Sequence, residues 1–279
     1  MPPFDPEQNF SEDIFDRVLS LARKTVIVAT TWNRKNTVDV CLRQTAIYRL
    51  GSPLWVYDDG SDEYSEEFLL DIADRVYRQA HGEGGREGVK KLRSLIMNSI
   101  LQEGYAPHDE WIPEDFPEGL EYIYHIDSDV IHDPWFFHRI YELSQKFPEF
   151  GAICLYNPKF HPSSKKCRIN PRTFPDIHTV VRTAGYGCSM FFPLRKFKEN
   201  LGHVDIPEGG VGWDLYYSQH IAQGNVIMSA TSYVDHLGKG GIHNDISHQK
   251  TRAINPTLYL TEIRNNAIKA MKESSDYYD

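Results

Sequence analysis

The stretch EYIYHIDSDVIHD, residues 121–133, runs an apolar strand directly into three carboxylates, Asp127, Asp129 and Asp133. A carboxylate buried without a partner is costly, so acids at the end of an apolar run need an explanation. Asp127 and Asp129 are two residues apart, and side chains at that spacing leave the same face of an extended chain. The two carboxylates and the intervening Ser128 therefore indicate a cation site.

A calcium loop and a helix cap also place several acids close together in a sequence. An EF-hand calcium loop needs glycine at its sixth position, whereas this chain has Ile131 at the fifth and His132 at the sixth. A helix cap fits better, because Asp133 before Pro134 suits an N-cap. We therefore interpret Asp133 as a cap and keep Asp127 and Asp129 as cation ligands.

The chain before this stretch repeats one pattern, an apolar strand followed by a polar turn and a helix. TVIVATTWNR (25–34) precedes a predicted helix over 36–50, and PLWVYDDGSDE (53–63) precedes one over 64–79. A third helix, over 88–103, follows a glycine-rich turn. This βαβαβ order predicts a Rossmann-like α/β fold, with a mostly parallel central sheet flanked by helices. Ligands of such sheets bind beyond the carboxyl ends of the strands, where the polar clusters fall.

The remaining segments are less regular. We predict strands over 150–156, 186–192 and 225–236, and interpret 104–120 as a surface insertion. Predicted helices lie at 11–23, 134–146, 194–200 and 256–273.

Composition excludes some classes of protein. The net charge is −9, which argues against a protein that coats nucleic acid or an anionic membrane. The four cysteines form no CxxC pair, so we expect free thiols. No window approaches the roughly 20 apolar residues of a membrane span, and the N-terminus lacks the pattern of a signal peptide. A cytoplasmic location without a membrane span is the expectation.

The motifs TTWNR, DDGSD and DSD occur in an order that resembles the GT-A glycosyltransferases, above all the family-2 group. The resemblance covers roughly 24–240. It implies a single GT-A domain over 1–279, with an N-terminal helix (11–23) and a C-terminal lid and helix (237–273). It also implies a hexosyl-type transfer from a nucleoside diphosphate sugar to an acceptor hydroxyl, with inversion expected and retention as the alternative.

The resemblance implies a divalent cation, Mn²⁺ or Mg²⁺, at the DSD motif. Asp129 is then the first ligand, and Asp127 is a ligand or a contact to the sugar. His236 matches a third ligand that follows the last strand, and an imidazole favours Mn²⁺. The alternative is that His236 is structural, as a lone histidine usually is.

A nucleotide pocket is implied at the ends of the first two strands. Asp59 is the predicted partner of the base, because a carboxylate can accept the imide N–H of uracil, and this favours UDP. Asp58, Thr30, Thr31 and Arg34 line the same pocket. A plain Asp-Gly turn is the alternative for DDGS.

Basic side chains near the nucleotide are implied at two further places. Among Lys90, Lys91 and Arg93 on the third helix, Arg93 is the preferred nucleotide contact, and at least two of the three are expected on a solvated face. Lys239 lies in the predicted lid, where glycines flank cations suited to a diphosphate.

The stretch GGVGWDLYYSQHI (209–221) matches the place of the acceptor base in the family. Asp214 is the predicted general base and Trp213 the predicted sugar-stacking ring. The alternative is that Asp214 caps the following helix.

A basic stretch at 157–178 raises the possibility of an anionic acceptor, and a solvated loop is the alternative. Its cations are Lys159, Lys165, Lys166, Arg168 and Arg172. The acceptor class stays open among glycan, lipid and other hydroxyl-bearing molecules.

Three further classes of protein fit the motifs less well. Aspartate-nucleophile phosphatases also carry Asp-x-Asp, but continue with Thr or Val where this chain has Ile131. A nucleotidyltransferase needs a glycine-rich first turn, and ATTWNRKN (29–36) has none. A binding module without catalytic activity is less consistent with the sequence, because the candidate metal, base and nucleotide residues are all present.

Overall fold

The computed structural model of the protein describes residues 11–80, 82, 84–101, 119–157, 179–182, 184–185, 187–201, 204–208, 212–237, 253 and 256–273. Within them the strands are β1 (Thr25–Thr31), β2 (Leu54–Asp58), β3 (Arg75–Arg78), β4 (Tyr122–Asp127), β5 (Val130–His132), β6 (Ala152–Cys154), β7 (Thr179–Arg182), β8 (Ser189–Pro193), β9 (Val226–Ser229) and β10 (Val234–His236). The helices are α1 (Glu12–Arg23), α2 (Lys35–Tyr48), α3 (Glu66–Leu70), α4 (Gly85–Leu101), α5 (Phe136–Lys146), α6 (Leu194–Asn200), α7 (Trp213–His220) and α8 (Leu258–Glu273). Lys239 and the five cations of the basic stretch lie outside the described residues.

The central sheet has the strand order β3-β2-β1-β4-β8-β6-β9-β7. Its first four strands are mutually parallel, and β6 also pairs parallel with β9, whereas β8 and β7 pair antiparallel with their neighbours. The predicted α/β fold with a mostly parallel sheet flanked by helices is confirmed. In register, Thr31 on β1 lies opposite Asp58 and Thr30 lies opposite Asp127. The carboxyl ends of three strands therefore meet at one edge.

The core forms because the parallel strands are apolar on both faces. All seven residues of β1 are buried, as expected of a β-branched central strand covered on both sides. α1 packs against α5 and β1, and α4 packs against β1 and α6. No helix in the described part of the chain is both long enough and apolar enough to cross a membrane.

A second, smaller sheet lies beside the first. It is an antiparallel ribbon of β5 and β10, in which His236 pairs with Val130. A separate apolar cluster packs α8 onto α2 and this ribbon; its buried members are Cys41, Ile131, Leu237, Leu260, Ile263, Ala267 and Met271. The C-terminal helix thus supports the ribbon that follows the DSD motif.

The single helix predicted over 64–79 is wrong. α3 ends at Leu70, and the chain then forms the edge strand β3 beside β2. The change of direction is fixed by Asp74, whose backbone N–H donates to the Leu54 carbonyl and whose carboxylate accepts from the Leu54 N–H.

The single strand predicted over 225–236 is also wrong. It divides into β9 in the central sheet and β10 in the ribbon. Asn157 holds the break, because its N–H donates to Ser232 Oγ and its side-chain amide donates to the Ala230 carbonyl. The division is what carries His236 away from the central sheet and next to the DSD motif.

Candidate active site

The predicted cation ligands come together. Asp127, Asp129 and His236 each offer one ligand atom, and these three atoms lie within 4.8 Å of one another. Asp129 Oδ1 is 3.1 Å from His236 Nε2, and Asp129 Oδ2 accepts from Arg34 Nη1 at 2.8 Å. The ribbon register explains the approach, because Leu237 N–H donates to the Asp129 carbonyl just beyond the His236–Val130 pair. Two carboxylates from one strand end and an imidazole from another strand share one point.

The electrostatics of the Asp129–His236 pair favour the ionised form of both groups. Burial alone raises the pKa of Asp129, but His236 and Arg34 outweigh it and hold that pKa well below its ordinary value. Burial likewise lowers the pKa of His236, but the Asp129 carboxylate outweighs it and raises that pKa above its ordinary value. The contacts with His236 and Arg34 favour the ionised form of Asp129 in the folded protein.

This donor set fits a divalent cation. Two carboxylates and an imidazole suit Mn²⁺, and also Mg²⁺ with substrate oxygens completing its shell. His236 Nδ1 is buried and lacks a hydrogen-bond partner among the described residues, so Asp129 is the partner that orients the ring. Arg34 occupies Oδ2 of Asp129, and Oδ1 faces the imidazole.

Arg34 is aimed at the cluster by an unusual backbone. Asn33 and Arg34 both have positive φ angles, 52° and 62°, which are uncommon for residues other than glycine. The turn is held from both sides, because Asn33 N–H donates to Ser61 Oγ and Asp62 N–H donates to Asn33 Oδ1. The sequence predicts that Arg34 lines the nucleotide pocket; the structure places it on the proposed metal ligand.

Arg93 is an internal support of Asp127. Its side chain has no exposed surface, and Nη2 donates to Asp127 Oδ1 at 2.6 Å and to Thr30 Oγ1 at 2.9 Å. The guanidinium also lies 3.7 Å from the centre of the Trp213 ring. Burial first, and Arg93 second, lower the pKa of His125 well below its ordinary value, so the neutral ring accepts from Arg93 through Nδ1. A nucleotide could contact Arg93 only if Asp127 or Trp213 moved.

The expectation of a solvated basic face on α4 is wrong for most of the cations concerned. Lys90 is 2% exposed and donates to the Pro207 carbonyl, and Arg93 is fully buried. Lys91 is the solvated one, with a surface ion pair to Glu208. The sequence pattern failed here because buried carbonyl and carboxylate partners lie far away along the chain.

Asp214 is held at the start of α7, in the same region as the cluster. Its Oδ2 accepts from the Gly187 N–H at 2.8 Å, so the carboxylate bonds to the loop before β8. Burial raises the pKa of Asp127 above its ordinary value, and the nearby Asp129 and Asp214 carboxylates raise it further while Arg93 lowers it. The Asp214 carboxylate is thus one of the charges that raise the pKa of Asp127. Trp213, its neighbour, is mostly buried over Arg93.

The two acids of DDGS are both engaged within the protein. Asp58 is fully buried and accepts from the Ser61 N–H, the Ser61 hydroxyl and the Tyr64 hydroxyl. Tyr64 also contacts Thr31 Oγ1 at 2.6 Å. Asp59, 1% exposed, accepts from the Gly84 N–H at 2.8 Å. A base that binds Asp59 would share this carboxylate with the Gly84 N–H, because each carboxylate oxygen can accept two hydrogen bonds.

The glycine-rich turn before α4 contributes to the site, a role that the sequence did not predict. A Cβ on Gly88 would lie 2.1 Å from Asp59 Oδ2, and one on Gly84 would lie 2.5 Å from the Trp32 ring. The turn at Gly84 therefore packs its backbone against Trp32, and the first turn of α4, at Gly88, packs its backbone against Asp59. The glycine-rich sequence HGEGGREG (81–88) is the feature of the sequence that could have indicated this close approach of the backbone. Ser128, also a predicted contact, is 2% exposed between the two acids.

No protein-family model and no curated protein matches the sequence. Among solved structures, the chain is similar to the crystal structure of S. aureus TarS 1–349, with a TM-score of 0.45 and 11% sequence identity. The similarity covers 75% of this chain and 59% of that one, so this chain spans less than two thirds of that structure. The residues at the sheet edge, and not this similarity, carry the functional proposal.

Proposed function

We propose that the protein is a metal-dependent glycosyltransferase that moves a sugar from a nucleoside diphosphate donor to an acceptor hydroxyl. The observation that carries this proposal is the convergence of Asp127, Asp129 and His236 at the carboxyl edge of a parallel sheet. That edge is where ligands bind in open α/β sheets. The order of TTWNR, DDGSD and DSD, which resembles the GT-A family, supports the same class.

The cluster holds the cation and the donor. A divalent cation bound by Asp127, Asp129 and His236 neutralises the diphosphate that becomes the leaving group. Arg34, beside Asp129 and partly exposed, supplies a second positive charge at the same place. Its planar guanidinium is suited to bidentate contacts with phosphate oxygens.

Asp214 accepts the proton of the acceptor hydroxyl in this proposal. The Gly187 N–H fixes one carboxylate oxygen, which orients the group as a general base requires. Direct attack by the activated hydroxyl inverts the anomeric centre. Trp213 covers Arg93 with one face of its ring, which couples the base helix to Asp127.

The donor base is proposed to be uracil, on the strength of Asp59 and the family resemblance. In this proposal Thr30, Thr31 and Asp58, which are buried at the ends of β1 and β2, lie on the protein side of the base, and Trp32 packs against Gly84 beside them. The acceptor is a hydroxyl-bearing glycan, lipid or other molecule. Its possible anionic character rests on the basic stretch 157–178, and a lid contact from Lys239 rests on the sequence alone.

Release of nucleotide from a panel of UDP-, GDP- and dTDP-sugars, without acceptor and with Mn²⁺ or EDTA, tests the proposal. We expect release from one donor, lost in EDTA and in Asp129→Asn. The exposed Asp62→Asn is the matched control, because it removes a carboxylate outside the cluster. If no donor is hydrolysed, calorimetry of donor binding with Mn²⁺ separates a strict acceptor requirement from a wrong class.

A further inference from the structure

A buried ion pair lies directly behind the third proposed cation ligand. Arg264 on α8 donates to Asp235 Oδ2 at 2.7 Å, and the two side chains are 7% and 3% exposed. Buried pairs are weak evidence of stability, because desolvating two charges offsets much of their attraction. The pair is therefore expected to do something besides attaching the helix.

The pair holds the backbone of His236 on both sides. Asp235 Oδ1 accepts from the His236 N–H at 2.9 Å, and Arg264 Nη1 donates to the His236 carbonyl at 3.1 Å. Asp235 Oδ1 also accepts from the Ala253 N–H at 2.9 Å, which ties a later segment to the same carboxylate. Both polar backbone groups of His236 thus depend on one ion pair.

The helix behind the pair is attached to the rest of the protein by packing and by hydrogen bonds. α8 packs through its apolar face on α2 and the ribbon, with Leu260 fully buried. Its start is attached by Thr257, whose hydroxyl donates to Asp133 Oδ2 and accepts from the Leu260 N–H. Asp133 Oδ1 meanwhile accepts from the Trp135 N–H near the start of α5. The helix is therefore fixed to the segment that carries the DSD motif.

We infer that Asp235 and Arg264 are positioning residues, which fix the His236 backbone so that its imidazole meets Asp129 at the cation site. This inference rests on the proposed function, because it concerns the third ligand of the proposed site. Neither residue touches the cation or the substrate; both act through His236. Asp129 orients the ring through Nε2, and the backbone of His236 sets how closely the ring approaches that carboxylate.

The test is a double-mutant cycle on Mn²⁺ affinity, measured by the free-Mn²⁺ electron paramagnetic resonance signal in the presence of UDP. Partners behind a metal ligand typically change affinity by 10–100-fold, so we expect Arg264→Met to weaken Mn²⁺ binding at least ~10-fold. In a His236→Ala background the same substitution should change nothing further, because its effect passes through His236. Arg264→Lys, which keeps a charge and a donor, should recover part of the loss.

A separate variant tests whether a loss of stability alone could weaken Mn²⁺ binding. Leu143→Ala removes core packing on α5, outside the elements that hold His236, and we expect it to lower Tm while leaving the Mn²⁺ Kd within ~2-fold. If Arg264→Met does not fold, Asp235→Asn with Arg264→Met removes both charges together and takes its place, because no lone buried charge is left.

The outcomes are distinct. Equal Mn²⁺ affinity in wild type and the Arg264 variants overturns the inference, as does a full additional loss in the His236→Ala background. A wild-type protein that does not bind Mn²⁺ at all defeats the proposed function and this inference with it. Normal Mn²⁺ binding with an unchanged Arg264→Met variant defeats the inference alone.

Discussion

Asp127 and Asp129 stand two residues apart, yet their cationic partners are arranged in opposite ways. Asp127 is 30% exposed and rests on Arg93, which is fully buried. Asp129 is 6% exposed and is covered by Arg34, which is 27% exposed. One carboxylate is supported from inside the core and the other is neutralised from the solvent side. The inner arrangement is suited to fixed geometry, and the outer one to exchange with a charged ligand.

The largest effect is expected on the inner side, at the proposed base Asp214, whose neighbour Trp213 stacks on Arg93. Asp214→Asn keeps the shape of the side chain but removes the proton acceptor, and general base catalysis typically contributes about 10²–10⁴-fold. We expect kcat to fall by that factor, with the donor Kd unchanged, in a transfer assay with the identified donor. Asp205→Asn, an exposed acid on a preceding loop, is the control. Near-normal transfer by Asp214→Asn would remove it as the base.

Arg93→Met breaks the inner arrangement itself. It leaves Asp127 without its cation and removes the stacking partner of Trp213. Loss of one partner of a buried pair typically costs about 3–5 kcal/mol, and we expect that loss in the free energy of unfolding by urea. Lys91→Met, on the same helix but solvated, should change it little. A small loss in Arg93→Met would show that the inner support is dispensable.

Two histidines sharpen the comparison through pH. His125, behind Asp127, has a lowered pKa, so its stabilisation is present above its unfolded pKa and lost as pH falls below about 6.5. In that range the free energy of unfolding falls by about 1.4 kcal/mol for each pH unit. His236, beside Asp129, has a raised pKa, so its stabilisation is present at low pH and lost as pH rises through that value.

Urea unfolding between pH 5 and 8, in EDTA, measures both effects. His125→Gln should flatten the acid side of the stability curve, and His236→Gln should flatten the side above neutral pH. Identical curves for the two variants would contradict the assigned environments.

Arg34→Met is expected to have the smallest effect on stability. Its side chain is 27% exposed, and Asp129 keeps His236 as a second partner when Arg34 is removed. The loss of stability is therefore expected to be smaller than in Arg93→Met. We expect the KM for the donor to rise about 10-fold through loss of one phosphate contact. Arg43→Met, which breaks two exposed ion pairs on the following helix α2, should leave the KM unchanged. A large loss of stability with an unchanged KM would show that Arg34 stabilises the fold and does not contact the donor.

The outer arrangement was easier to predict from the sequence than the inner one. Apolar runs that end in acids predict β1, β2 and β4, and the spacing of Asp127 and Asp129 predicts a shared face. His236 was placed by resemblance, because its pairing with Val130 joins residues over a hundred positions apart. The burial of Arg93 and Lys90 gave no local signal, since their partners lie on β1, β4 and beyond α6. The division of 225–236 depends on Asn157, a contact that no periodicity reveals.

The central claim is that Asp127, Asp129 and His236 form one divalent cation site. Titration of Mn²⁺ into the protein with UDP, followed by the free-Mn²⁺ resonance signal, tests it most directly. We predict one Mn²⁺ per chain in wild type and in Asp62→Asn, and at least about 100-fold weaker binding in Asp129→Asn, because even partners behind a ligand change affinity by 10–100-fold. Unchanged binding in Asp129→Asn and His236→Ala, or no binding in wild type, would contradict the claim.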